Sequence, residues 1–131
     1  MINFSDDEKR FIESLEECRF ATSHSNIPHV KPVSFLFTEG HIYIATDYET
    51  RSYKNILENS NVALSIDIYD PNNHRAILVQ GKSEIIEQGK EFRLIFKKFF
   101  DKFQWVRSDP WEENEAPFIK IIPKTKISWG I

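Results

Sequence analysis

The residues of this chain that are best suited to chemistry lie at the predicted start of a short helix. Thr50 is a good N-cap, and Arg51, Ser52 and Lys54 follow in the first turn. The first N–H groups of a helix lack partners and the helix dipole is positive there, so this end attracts anions. Two cations at this end are unfavourable by up to about 1 kcal/mol each unless an anion binds. The pattern predicts a phosphate site, and ordinary solvated surface cations are the alternative interpretation.

A strand before this junction and a helix after it would hold these residues in place. Residues 41–46 alternate in hydrophobicity, which indicates a strand with Ile42 and Ile44 on one face. Residues 50–59 carry apolar side chains at helical spacing, which indicates a short helix.

Two longer helices are predicted elsewhere. Ser5 and Glu8 fit a capping box that begins a helix over 5–18. A helix over 89–103 carries an aromatic stripe that includes Phe92, Phe96, Phe99 and Phe103. We interpret the stripe as core, with burial of part of it at a subunit interface as the alternative. Residues 104–115 are predicted to form a loop.

The strand patterns predict the class of fold. Pro32 cannot donate to a sheet ladder, so it marks an edge or a bulge, and Gly81 indicates a second bulge or a close approach. Glu39 and Gly40 form a hairpin turn. Short antiparallel strands at this spacing predict a mainly β fold, a split barrel of about six strands with three peripheral helices, in one domain spanning 1–131. The strand segments are 20–23, 29–38, 41–46, 61–69, 75–87 and 116–129.

Composition excludes several functional classes. The net charge is −3 with both signs mixed, which argues against a nucleic-acid surface. Cys18 is the single cysteine, so no intramolecular disulfide or cysteine metal cluster can form, and the four histidines show no metal-binding spacing with carboxylates. We predict no metal site. The acidic N-terminus lacks a signal-peptide pattern and no apolar run reaches about 20 residues, so we expect a cytoplasmic protein that does not enter a membrane.

The order of these motifs resembles that of the pyridoxamine 5′-phosphate oxidase-like superfamily of flavin-binding split-barrel proteins. The resemblance covers nearly the whole chain and rests on segments 28–35, 42–46, 51–57, 61–64, 79–84 and 122–129. It implies a homodimer with FMN bound at the interface, and an oxidoreductase that acts on a small-molecule substrate or electron donor. We identify no obligatory acid–base residue, because a bound flavin would carry out the hydride or electron chemistry, and if one exists His29 is the only modest candidate.

The resemblance also implies a set of cofactor-binding residues. The isoalloxazine would lie against the backbone of 31–34, the phosphate would bind at 50–54, Gln80 would reach the flavin from a neighbouring strand, and Trp129 would flank the ring from the partner subunit. The family often has a lysine directly after the arginine, whereas this chain has Ser52 there. The full set is Lys31, Pro32, Val33, Ser34, Thr46, Thr50, Arg51, Ser52, Lys54, Gln80 and Trp129.

Two other functions remain open on the same fold. The motif Pro28-His29-x-x-Pro32-Val33 also resembles the branch that uses the 8-hydroxy-5-deazaflavin coenzyme. A non-catalytic protein that stores or senses flavin or haem is the second alternative, because a fold does not by itself imply chemistry. True pyridoxamine-phosphate oxidases continue into a basic C-terminal substrate motif, so we expect a different substrate here.

Overall fold

A computed structural model describes residues 2–131, in which six antiparallel strands form a closed barrel in the order β1-β2-β3-β6-β5-β4 with four helices around it. The mainly β barrel predicted from the strand patterns is therefore confirmed. The strands are β1 (Glu17–His24), β2 (Ile27–Thr38), β3 (His41–Ala45), β4 (Asn61–Ile68), β5 (Arg75–Ile86) and β6 (Phe118–Trp129). The helices are α1 (Asp6–Glu13), α2 (Arg51–Glu58), α3 (Gly89–Lys102) and α4 (Gln104–Ser108). In the described part of the chain, no helix has the length and hydrophobicity to cross a bilayer.

Two apolar clusters stabilise this arrangement. Alternating strand residues such as Phe20, Phe35 and Ile44 fill the barrel, and α1 covers one side of it. A second cluster lies outside the barrel, where α3 packs on the outward-facing residues of β2, β3 and β6. The aromatic stripe of α3 is thus mostly core, as predicted, although Phe100 remains 38% exposed.

Helix α1 is shorter than its sequence pattern predicts. The capping box of Ser5 and Glu8 is present, but the helix ends at Glu13 instead of continuing to Cys18. Cys18 lies in β1 opposite Val33, where burial raises the pKa of its thiol to about 12. The backbone groups of β1 are hydrogen-bonded by β2 on one side and β4 on the other. This strand pairing is more favourable than continuing the helix that the spacing of apolar residues predicts.

The predicted loop 104–115 contains a short helix. Helix α4 spans Gln104–Ser108, so the count of three peripheral helices is too low by one within the described residues. Its Val106 is fully buried, and Arg107 donates hydrogen bonds to the carbonyls of Phe100 and Asp101 at the end of α3. A helix of five residues is too short to show an apolar period, so the sequence carried no signal for it.

Helix α3 is also attached to the barrel by a polar network. The Tyr43 hydroxyl donates to Glu91 at 2.7 Å, and Lys120 forms an ion pair with the same carboxylate at 2.8 Å. Lys120, and after it the Tyr43 hydroxyl, holds the pKa of Glu91 below its ordinary value.

The predicted irregularity at Gly81 is confirmed. The register of β5 and β6 shifts between Gln80 and Gly81, so that Gly81 lies opposite Pro123 and Lys124 is the extra residue of the bulge. A Cβ atom at position 81 would lie 2.3 Å from the carbonyl oxygen of Ile122. Only glycine allows this close approach of two backbones.

We therefore expect Gly81→Ala to destabilise the protein by about 1–3 kcal/mol, because either strand must move to admit the methyl group. Thermal unfolding followed by circular dichroism would show a midpoint several degrees below that of the wild type. Lys82→Ala, an exposed change at the next position of β5, is the matched control and should leave the midpoint in place. Equal midpoints for both variants would contradict the close-approach explanation.

Candidate functional site

The junction between β3 and α2 is ordered by two threonines. Thr50 is the N-cap of α2, and its Oγ1 accepts a hydrogen bond from the N–H of Tyr53 at 3.1 Å. The single proton of the Thr50 hydroxyl is donated to the carbonyl of Asp47. Thr46 is therefore the donor in the 2.8 Å hydrogen bond between the hydroxyls of Thr46 and Thr50. Thr46 therefore positions the helix cap, and its own hydroxyl proton is already in use.

The first turn of α2 carries three donor side chains without partners in the described part of the chain. Arg51 and Lys54 are exposed, and within residues 2–131 neither forms an ion pair. The helix has no acidic residue in this turn. Ser52 is only 1% exposed, and its Oγ has no hydrogen-bond partner among the described residues. A buried hydroxyl without a partner costs about 1–3 kcal/mol, and the two cations and the free N–H groups of the same turn form a site that a phosphate group fits.

Strand β2 offers an unpaired edge on the β3 side of the barrel. It pairs with β3 only over Phe35–Thr38, whereas residues 27–34 pair with β1 alone. Pro32 lies opposite Arg19 in a regular register, so it marks an edge, and the alternative of a bulge at this position is wrong. Because the N–H of Phe35 donates to the carbonyl of Glu16 on the β1 side, alternation directs the backbone groups of Ser34 and Pro32 towards the unpaired edge.

Helix α2 is anchored to β1 by two side-chain amides. Asn55 Nδ2 donates to the Thr22 hydroxyl at 3.0 Å in a buried contact, and Asn59 Nδ2 donates to the Ser23 hydroxyl at 3.1 Å. Thr22 lies opposite His29 of β2, whose Nδ1 is buried without a partner among the described residues. The sequence analysis missed the role of Thr22 and Asn55, although an asparagine next to Ile56 on the apolar side of α2 was a signal that could have revealed it.

The remaining predicted residues do not join this junction within one protomer. Gln80 is exposed on β5 and lines a cavity of about 500 Å³ that extends to Thr22 and Ser23. Gln80 is the register partner of Thr125, and Trp129 lies four residues further along β6. Because a strand rises about 3.3 Å per residue, Gln80 and Trp129 are roughly 13 Å apart along the strand direction. The Trp129 ring packs against His74 instead, at a centroid distance of 5.5 Å.

The outer face of the sheet next to this cavity is unusually apolar. Leu78 and Ile127 are register partners and are 37% and 66% exposed, and Val30 of β2 is 65% exposed. Ala21 and Ala63, which are also register partners, give the face a shallow centre between these larger side chains. Large apolar side chains exposed together on one sheet face are a candidate interaction surface.

Comparison with known proteins agrees with this fold. A sequence model of the pyridoxamine 5′-phosphate oxidase family matches residues 4–125, so the chain belongs to that family. The resemblance seen in its sequence motifs is thereby confirmed. No curated protein sequence matches the chain.

Three solved structures illustrate the range of proteins with this fold. A pyridoxamine 5′-phosphate oxidase-like protein from Listeria innocua is 18% identical, with a TM-score of 0.76 over 96% of this chain and 98% of that one. The haem storage protein HutZ from Vibrio cholerae is 11% identical, with a TM-score of 0.81 over 96% and 94%. An FAD-binding protein from Mesorhizobium loti is 15% identical, with a TM-score of 0.71 over 95% and 93%. At these identities the likeness concerns the fold alone.

Proposed function

We propose that this protein is an FMN-dependent oxidoreductase that binds its flavin between two copies of the chain, with the flavin phosphate at the start of α2. The observation that carries the proposal is the buried, unpartnered hydroxyl of Ser52, which lies in the first turn of α2 with two exposed and unpaired cations. Solvated surface cations would explain Arg51 and Lys54, but they would not explain a buried hydroxyl without a partner among the described residues in the same turn.

The charges of this turn complement those of a phosphate monoester, which carries about −1.5 to −2 at pH 7. The guanidinium of Arg51 can bind two phosphate oxygens at once, and Lys54 adds a point charge from the end of the same turn. The Ser52 hydroxyl and the free N–H groups of the helix then donate to the remaining lone pairs. Ser52 thereby contributes a neutral hydrogen bond where related sequences often place a lysine.

The unpaired edge of β2 supports the position of the isoalloxazine. The Ser34 N–H and the Pro32 carbonyl provide a donor and an acceptor for the polar edge of the ring system, and Lys31 and Val33 are the residues beside them. Thr46 acts indirectly, by holding Thr50. When bound, the flavin supplies hydride or electron transfer, whereas the chain binds and orients it and keeps water away from one side.

A homodimer would complete the site. The exposed apolar face formed by Val30, Leu78 and Ile127 lies on the same side of the sheet as Gln80, and a second copy would cover it. Trp129 would then contribute to the site of the partner subunit, which accounts for its distance from Gln80. The FAD-binding protein with the same fold supports a flavin in this barrel.

The absorbance spectrum of the purified protein, recorded before and after addition of FMN, tests this proposal. We expect flavin bands that remain with the protein through gel filtration, and quenching of flavin fluorescence that saturates at one FMN per chain. Anaerobic reduction followed by addition of an electron acceptor should return the oxidised spectrum. A colourless protein that ignores FMN would contradict the proposal and favour the deazaflavin coenzyme, and a bound flavin that no acceptor reoxidises would favour a storage or sensing role.

A further inference from the structure

A second cavity lies between the end of β3 and the segment that follows α4. Its volume is about 380 Å³, which is within the range of pockets that hold small organic ligands. Thr46 lines it, so it borders the threonine that positions the cap of α2. The other residues that matter for its chemistry are Trp105, Trp111, Asp47, Asp109 and Glu115.

One wall of this cavity is a rigid aromatic pair. The rings of Trp105 and Trp111 are stacked, with centroids 5.9 Å apart and planes within 10°. Trp111 also packs edge-to-face against Phe96, with ring centroids 5.1 Å apart, and it packs against Phe118 with centroids 5.7 Å apart. Trp105 is 45% exposed, so part of its ring surface is free to receive a ligand.

The Trp111 indole is also an unused donor. Its Nε1 is buried and has no hydrogen-bond acceptor among the described residues. Buried donors without partners are rare in folded proteins, and each one calls for a physical explanation. Trp111 lines this cavity, so a bound molecule would lie against its ring.

The charged residues that line the cavity are all acidic. Asp47, Asp109 and Glu115 are exposed carboxylates, and within residues 2–131 none of them forms an ion pair. Glu115 is oriented by accepting a hydrogen bond from the N–H of Glu112 at 2.6 Å. Among the described residues that line the cavity there is no lysine, arginine or histidine. Carboxylates next to an exposed indole face create a negative potential above an aromatic surface.

We propose that this cavity binds a flat organic cation of the class of protonated arylalkylamines. The indole of Trp105 stacks on the ring of the ligand and attracts its positive charge. The carboxylates compensate the ammonium group, and they disfavour neutral and anionic analogues of the same shape. This inference goes beyond the flavin site and does not depend on it, because none of the residues that bind the cation binds the flavin phosphate.

Benzylamine, which is protonated at neutral pH, is the probe for this site. Binding is measured from the tryptophan fluorescence of the purified protein and from the indole N–H signals of its NMR spectrum. We expect benzylamine to bind at least about fivefold more tightly than benzyl alcohol, its neutral analogue, and benzoate not to bind. The affinity for benzylamine should fall as salt is raised, because exposed charges are screened over about 10 Å at 0.1 M salt.

Substitutions of the carboxylates and of Trp105 identify the residues responsible. Asp47→Asn together with Asp109→Asn should weaken benzylamine binding at least about fivefold, since each exposed carboxylate contributes a few-fold to such a contact. Asp101→Asn changes an exposed carboxylate on α3 that does not line the cavity, and this control should bind as the wild type does. Trp105→Ala should weaken binding about threefold to tenfold, whereas Trp105→Phe should retain most of the affinity.

The results separate this inference from the flavin proposal. Equal binding of benzylamine and benzyl alcohol would overturn the inference of a cation site. Unchanged benzylamine binding in the double asparagine variant would overturn it as well, and so would the absence of a saturable change in the fluorescence or NMR signals of Trp105 and Trp111. FMN binding measured on the same samples reports on the α2 site alone. A sample that binds benzylamine but not FMN would contradict only the flavin proposal.

Discussion

Replacing Arg51 and Lys54 with alanine is expected to weaken FMN binding at least about tenfold. Each substitution removes a charge-assisted hydrogen bond to the phosphate, which contributes roughly 1.5–3 kcal/mol. Both side chains are exposed, so solvent screening places the effect near the lower end of this range. Titration of the apoprotein with FMN, followed by quenching of flavin fluorescence, measures the change directly.

The control for this prediction must carry the same change in net charge. Lys90→Ala with Lys97→Ala removes two exposed cations from α3 that form no ion pair in the described part of the chain. This variant should bind FMN as the wild type does. Equal affinities for the two double variants would show that the phosphate does not bind at α2.

Ser52→Ala sharpens the same test because it separates binding from folding. The Ser52 hydroxyl has no partner among residues 2–131, so its removal should not lower the thermal stability of the apoprotein. Removal should nevertheless weaken FMN binding several-fold, since a donor to the phosphate is lost. A variant that loses stability without losing affinity would assign the hydroxyl to the fold instead of the cofactor.

Ile127→Glu is expected to convert the protein from a dimer to a monomer. Ile127 is 66% exposed on the apolar face, beside Leu78. In a two-fold symmetric dimer the substitution introduces a charge on both sides of the interface, and an unpaired buried charge costs about 3–5 kcal/mol. Light scattering should give the mass of two chains for the wild type and of one chain for the variant.

Loss of the dimer should remove FMN binding as well, although the residues of α2 are unchanged. Leu94→Glu is the matched control, because Leu94 is a 53% exposed leucine on α3, outside the sheet face. It should remain a dimer with FMN bound. A wild-type protein that is monomeric at micromolar concentration and still binds FMN tightly would rule out a site shared between two subunits.

Several elements were predictable because their signals are local. The capping box of Ser5 and Glu8, the hairpin turn at Glu39 and Gly40, and the cap at Thr50 depend on residues within a few positions of each other. Alternation over long strands predicted the faces correctly, and Ile42 and Ile44 do point into the barrel. The end of α1 and the helix α4 were missed because strand pairing and burial of Val106 act over long distances in the sequence.

The sequence by itself determined the barrel class, the family and the group of polar residues at the start of α2, since residue type and local spacing carry all three. Only the tertiary structure revealed that the Ser52 hydroxyl is buried without a partner, that Pro32 lies on an unpaired edge, and that Gln80 and Trp129 are separated within a protomer. The cavity beside Trp105 and Trp111 also depends on the fold, because it joins the end of β3 to a segment about sixty residues later. Burial, edge exposure and cavities depend on which distant segments become neighbours, and spacing along the chain does not encode that.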